Sequence, residues 1–174
     1  MPLYEINGRK PSVGEGTWIA PSAEIIGDVR IGKDCYIGFG AILRGDYGTI
    51  IIGDETAVEE GVTIHARPGQ SAEIGRRVTV GHNAMIHNCT VDDFAVIGMS
   101  ATVSDNAVVG EWAIVGEHAL IPNRMEVPAG KIYGGVPAAE IGDVKERHRE
   151  MWTQGKQIYV DLTSQYRDTF RRVD

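Results

Sequence analysis

At 174 residues, with 17 Lys plus Arg against 24 Asp plus Glu and a formal charge of −7, the chain is long enough for one self-sufficient core. It is too acidic to gather phosphate backbones, so nucleic acid is excluded as an expected partner. No apolar run of about 18 residues is present to cross a bilayer, and the start Met1-Pro2-Leu3-Tyr4-Glu5 carries neither region of a secretory signal; no membrane association is expected, and the expected location is cytoplasmic.

From Val13 onward aliphatic residues recur every six positions: Val13, Ile19, Ile25, Ile31, Ile37 and Leu43, then Ile52, Val58 and Ile64, then Ile74, Val80 and Ile86. After a five-residue step they resume at Val91, Ile97, Val103, Val109, Val115, Ile121 and Val127. Gly often follows directly, as in Ile31-Gly32, Val80-Gly81 and Val109-Gly110. A six-residue period fits neither a helix nor a long alternating strand. It fits a short strand plus a turn, with three hexads closing one triangular coil. The expected architecture is all-β: a parallel β-helix over residues 10–130, about six coils stacked about 4.8 Å apart with the aliphatic side chains inside. Cys35 and Cys89 belong to no C-x-x-C pair and read as small buried hydrophobes in a reducing compartment.

The period stops at Pro128-Ala129-Gly130. Residues 131–142 read as a turn-rich connector. Over 143–172, Val144, Met151, Ile158, Tyr159, Leu162, Tyr166 and Phe170 fall near one helical face, with Gly155 as a candidate break. Such a C-terminal α-helix would lie along a prism face as part of the same single domain, 1–174.

Three of the five histidines fall close together: His65 in Ile64-His65, His82 in Val80-Gly81-His82, and His87 in Ile86-His87. Ile52, Val58 and Ile64 form one coil and Ile74, Val80 and Ile86 the next, so His65 and His87 stack on one prism edge about 4.8 Å apart. Two imidazoles at that separation can converge on one metal at roughly 2.0–2.1 Å each. His82 lies two positions after Val80, on another edge, and reaches the same metal most easily from a neighbouring subunit in a threefold assembly. The same arithmetic puts Arg44 one coil below His65, and Glu59 and Glu60 one coil below His82, where a guanidinium and a carboxylate could pair across the interface. A stacked cluster of neutral imidazoles without metal is the plainer alternative, though it leaves polar atoms unpaired. His118 and His148 read as solvated surface residues.

The order Leu43-Arg44-Gly45-Asp46, His65, Val80-Gly81-His82-Asn83-Ala84-Met85-Ile86-His87, Ile97-Gly98-Met99 resembles the γ-class carbonic anhydrases, over essentially residues 10 to 170. The resemblance implies a left-handed hexapeptide-repeat β-helix and a homotrimer. It also implies zinc, iron(II) or cobalt held between subunits by His65, His82 and His87, and hydration of CO2 to bicarbonate by a metal-bound hydroxide. Arg44 and Asp46 match the family's structural pair at the interface, and Tyr159 matches a Tyr that approaches the metal from the terminal helix. Three histidines with an open position are a catalytic arrangement.

Two departures stand out. Many family members carry Gln-Asp where this chain has Glu59-Glu60, so a neutral amide is replaced by a carboxylate that can act as base or proton relay or raise the pKa of bound water. The segment 66–73 is short, with Glu73 its only acid, whereas the well-known active members carry an acidic loop with a proton-shuttling Glu. Hexapeptide prisms also host CoA-dependent acyltransferases, so the fold alone does not decide function. A metal-dependent thioesterase would keep the same site, and a non-catalytic assembly subunit is the third alternative.

Overall fold

The computed structural model describes residues 2–174. It is a left-handed parallel β-helix of about seven turns with one C-terminal helix, Glu146–Thr169. Strands in each coil pair with their equivalents in the coils above and below, and the registers follow the hexads: Ile64 with Ile86, Val80 with Ile97, Val91 with Val109, Val109 with Val127. Every aliphatic of the repeat from Ile19 to Val127 is buried, and Val13 is partly buried against the same core.

The extra turn lies at the start. Leu3–Tyr4 pairs with Ile25–Ile26, although both residues are exposed. Leu3 is not joined to Val13 by the six-residue spacing, so the repeat pattern read from the sequence begins after this rung. A second ladder accompanies the aliphatic one: a small residue two positions earlier is also buried, as at Ala23, Ala41, Ala84, Ala95, Ala101, Ala107, Ala113 and Ala119. Cys35 and Cys89 occupy this position and are free and buried. Burial pushes the Cys35 thiol up to about 11 and the Cys89 thiol to about 12.

The corners bring the chain round by placing single residues in the left-handed backbone region. Asp34, Glu55, Arg77, Phe94, Ser100, Asn106, Trp112, His118 and Arg124 have φ between 49° and 63°. The conformational cost for a residue with a Cβ, about 1–2 kcal/mol each, is offset because each turn N–H finds a carbonyl one coil down, as from Asn106 N to Asn88 O (2.7 Å) and from Trp112 N to Asp93 O (3.1 Å).

Two expectations for the last quarter are corrected. Residues 131–142 are not a plain connector: Lys131–Gly134 adds a rung beside Ile114–Val115, and Ala139–Asp143 folds back antiparallel on it, with Lys131 bonded to Glu140 and Asp143. Turn residues in this stretch mask two short strands. The helix runs unbroken through Gly155, because packing on the prism outweighs the local preference of one Gly. It lies on the face built by Trp18–Ile19, Tyr36–Ile37 and Ala57–Val58, the third after the faces of Thr63–His65 (first) and Ser71–Ile74 (second), where Trp18, Tyr36, Tyr159 and Tyr166 cluster with centroids 4.4–6.0 Å apart. Met151 and Ile158 point to solvent instead. No helix is long and apolar enough to cross a membrane among the described residues.

Candidate metal-binding edges

His65 and His87 are register partners at the ends of Thr63–His65 and Met85–His87, and Arg44 is the partner of His65 one coil below. All three leave the first face at the same edge. His65 Nδ1 lies 3.1 Å from His87 Nε2. The remaining ring nitrogens meet carboxylates: His65 Nε2 is 3.2 Å from Asp46 Oδ1, and His87 Nδ1 is 2.7 Å from Asp105 Oδ1. A carboxylate only accepts, so in the neutral rings those two nitrogens carry the protons. Two bare lone pairs then face one another at 3.1 Å, an arrangement that repels unless a cation joins them.

Each carboxylate is itself held. Arg44 Nη1 donates to Asp46 Oδ2 at 2.6 Å. Burial raises the Asp46 pKa, but the Arg44 bond and charge, with His65, outweigh it and hold the carboxyl below its usual range. Arg67 grips Asp105 with two bonds, 2.9 and 2.6 Å, and that grip, with His87, keeps Asp105 low against the opposing effect of burial. Burial first, then the Arg44 charge, lowers the His65 pKa, which favours the neutral imidazole. Tyr47, largely exposed, meets the His65 ring edge-on at 6.3 Å.

His82 sits on the other edge of the first face. Its Nδ1 is 2.8 Å from Glu60 Oε2 and its Nε2 is 3.1 Å from Glu59 Oε2, while its backbone N–H donates to Glu59 Oε2 at 3.0 Å. The Tyr36 hydroxyl donates to Glu60 Oε1 at 2.7 Å, and Tyr159 lies close enough to Glu59 and Glu60 for their charges to act on its hydroxyl. Burial, with these carboxylates adding, pushes both phenols above their ordinary range. The candidate residues Glu59, Glu60, Tyr159 and His82 are therefore brought together, as are Arg44, Asp46, His65 and His87. The two groups stay apart, and among the described residues no three metal-ligating side chains of one chain converge.

An apolar cleft of about 380 Å³ opens beside His82, between Trp152 and the ladder Gly81, Gly98 and Gly116. Glu73 lies away on the second face, bonded to Ser71. His118 is exposed. His148 is only partly exposed; its Nδ1 accepts the Lys145 N–H at 3.1 Å, so it caps the helix start and is not free in solvent.

Sequence reasoning missed Asp105, Arg67, Tyr36 and Lys156. Acidic and amide residues recur at corners because they suit turns, so nothing distinguishes Asp105 from Asp92 or Asp93 until side-chain directions are known.

The family described as bacterial transferase hexapeptide (six repeats) matches residues 10–45. The chain is similar to γ carbonic anhydrase 2, mitochondrial, of Arabidopsis thaliana, 36% identical over 166 residues, which cover 92% of this chain and 60% of the relative. It is also similar to a probable carbonic anhydrase of Methanocaldococcus jannaschii, 38% identical over 151 residues, which cover 87% of this chain and 95% of that one. The chain thus spans about three fifths of the plant relative's length and nearly all of the archaeal relative's. A solved structure from Bacillus cereus, described as a putative acetyltransferase, superposes with a TM-score of 0.93 at 30% identity, covering 95% of this chain and 96% of that one.

Proposed function

The chain belongs to the γ-carbonic anhydrase family, and from that premise we propose that it is a homotrimeric metalloenzyme that hydrates CO2 to bicarbonate. His65 and His87 of one subunit and His82 of the partner subunit would hold the metal. The observation that carries this reading is the pair of bare nitrogens facing at 3.1 Å, each with its other nitrogen committed to a carboxylate. Imidazole donors suit zinc, iron(II) and cobalt; zinc is the first choice. A metal held there supplies Lewis acidity, which lowers the pKa of water from 15.7 to about 7.

The trimer reading rests on His82 occupying the opposite edge of the same face, so that a cyclic arrangement of unlike edges completes every site. Ile42 and Met85, exposed apolar residues on that face, suit a surface covered by a second copy. Arg44 and Asp46 orient His65 and, near the interface, help to set the approach of the subunits. His82 gives up one carboxylate contact to bind. The hydration releases a proton, and Glu60, with its side chain 37% exposed against 8% for Glu59, would be the carboxylate that takes it and passes it to solvent. Tyr36 fixes the Glu60 carboxylate.

A second reading, hydrolysis or transfer of an acyl group, has the cleft beside His82 in its favour. Metal content per subunit, followed by stopped-flow CO2 hydration with zinc, cobalt and anaerobically loaded iron(II), tests the first reading. Near one metal per chain with rapid hydration supports it. Metal without hydration, but with acyl-CoA cleavage, would move the assignment to the second, and no metal under any loading would remove the site.

A further inference from the structure

The loop that leaves His65 is short, and its first charged residue, Arg67, turns back toward the other stacked histidine. Arg67 holds Asp105 through Nε (2.9 Å) and Nη2 (2.6 Å), and Asp105 Oδ1 takes the bond from His87 Nδ1 (2.7 Å). The loop's attachment is fixed as well: the Arg67 backbone N–H donates to Asn88 Oδ1 (3.1 Å), and Asn88, next to His87, donates its own N–H to His65 O (2.9 Å). Asp105 is 9% exposed, so its carboxylate is shielded from competing water.

We propose that Asp105, aligned by Arg67, is a positioning residue for His87: it fixes the tautomer with Nδ1 protonated and aims the bare Nε2 at the nitrogen of His65. The inference rests on the metal-site reading above and adds to it a role for the short loop. On this edge each histidine then has one carboxylate and each carboxylate one arginine: Arg44, Asp46 and His65 below, Arg67, Asp105 and His87 above. A histidine whose second nitrogen is held this way loses less rotational freedom on binding and is the more basic ligand.

The test uses full-length Asp105→Ala, with Asp105→Asn as the conservative variant that keeps an acceptor oxygen, and Arg67→Gln, which leaves the carboxylate but frees it. Ring 15N shifts of His87 in the metal-free protein report the tautomer, and competition titration with zinc and with cobalt reports affinity. The expected result is a wild-type ring held in the Nδ1–H form, lost in Asp105→Ala and partly kept in Asp105→Asn. Zinc binding should weaken by about 10–100-fold in Asp105→Ala and less in Arg67→Gln, with the metal-free melting temperature of each variant close to wild type. Should Asp105→Ala fail to fold, the other two variants carry the comparison. An unchanged tautomer in the variants, or zinc affinity within twofold of wild type in all of them, overturns the proposal. If wild type binds no metal, the metal-site reading fails separately and the tautomer measurement decides the role of Asp105.

Discussion

Lys156 reaches from the C-terminal helix into the third face and donates to Thr79 Oγ1 and to Ala95 O, each 3.1 Å away. It is 2% exposed. Burial, with the Arg77 charge adding and Glu59 opposing, lowers its pKa to about 7. A lysine whose folded pKa is depressed binds fewer protons folded than unfolded between about 7 and 10.4, so this group makes stability rise with pH across that window. We expect Lys156→Met to stabilise the protein by about 1–3 kcal/mol at pH 6.5, with the gain shrinking toward pH 10. Urea unfolding at several pH values checks this; a destabilised variant at pH 6.5 would mean that the two hydrogen bonds outweigh the burial.

If each site is shared between subunits, variants that each remove one half should complement. His65→Ala and His82→Ala proteins, each alone, are expected to bind little zinc. After mixing, unfolding and reassembly, some sites regain both halves. Metal analysis of the isolated mixture is the measurement, and full binding by either single variant would rule out the shared site.

Ile86 is buried in the aliphatic ladder, and Cys89 occupies the small-residue position beside it. Ile86→Ala should cost about 2–5 kcal/mol, whereas Cys89→Ala, which exchanges one small buried residue for the one most repeats use, should cost below about 1.5 kcal/mol. Because burial raises both thiol pKa values, neither Cys should react with a thiol reagent at pH 8 until the protein unfolds. Reaction of either thiol at the folded-state rate of a free cysteine would contradict this.

Asn106 turns a corner at φ 57° with its N–H committed to Asn88 O. Replacement by Val should cost about 1–2 kcal/mol, since a β-branched residue is poorly accommodated in the left-handed region. Gly at the same place should be close to neutral. Thermal melts of the two variants separate backbone strain from loss of the Asn side chain, because both remove the side chain and only one introduces strain.

The hexads made the prism legible because an inward aliphatic is required at every coil, and they carried the stacking of His65 on His87 with them. What the period could not reveal lies where packing is satisfied by polar or small groups. On the helix, the seam against the prism is buried at Lys156 and Thr163 and partly buried at Trp152, Tyr159 and Tyr166. Lys156 and Thr163 look like surface residues in the sequence, and apolar spacing favours Met151 and Ile158, which the structure leaves exposed. Among the site residues, register located each histidine, but only side-chain directions could pair His87 with Asp105.

The reversal of direction between Gly134 and Ala139 governs how far such a prism can grow. A parallel solenoid ends in open backbone donors and acceptors at the spacing of one more coil, a template for another molecule to extend. Here the hairpin turns its last strand antiparallel, and its turn closes the neighbouring face: Leu120 N–H donates to Gly135 O, and Ala138 N–H donates back to Leu120 O. Those few residues act as a chain terminator acts in polymer synthesis. On these two faces they remove the parallel template on which the same backbone would otherwise build a fibre.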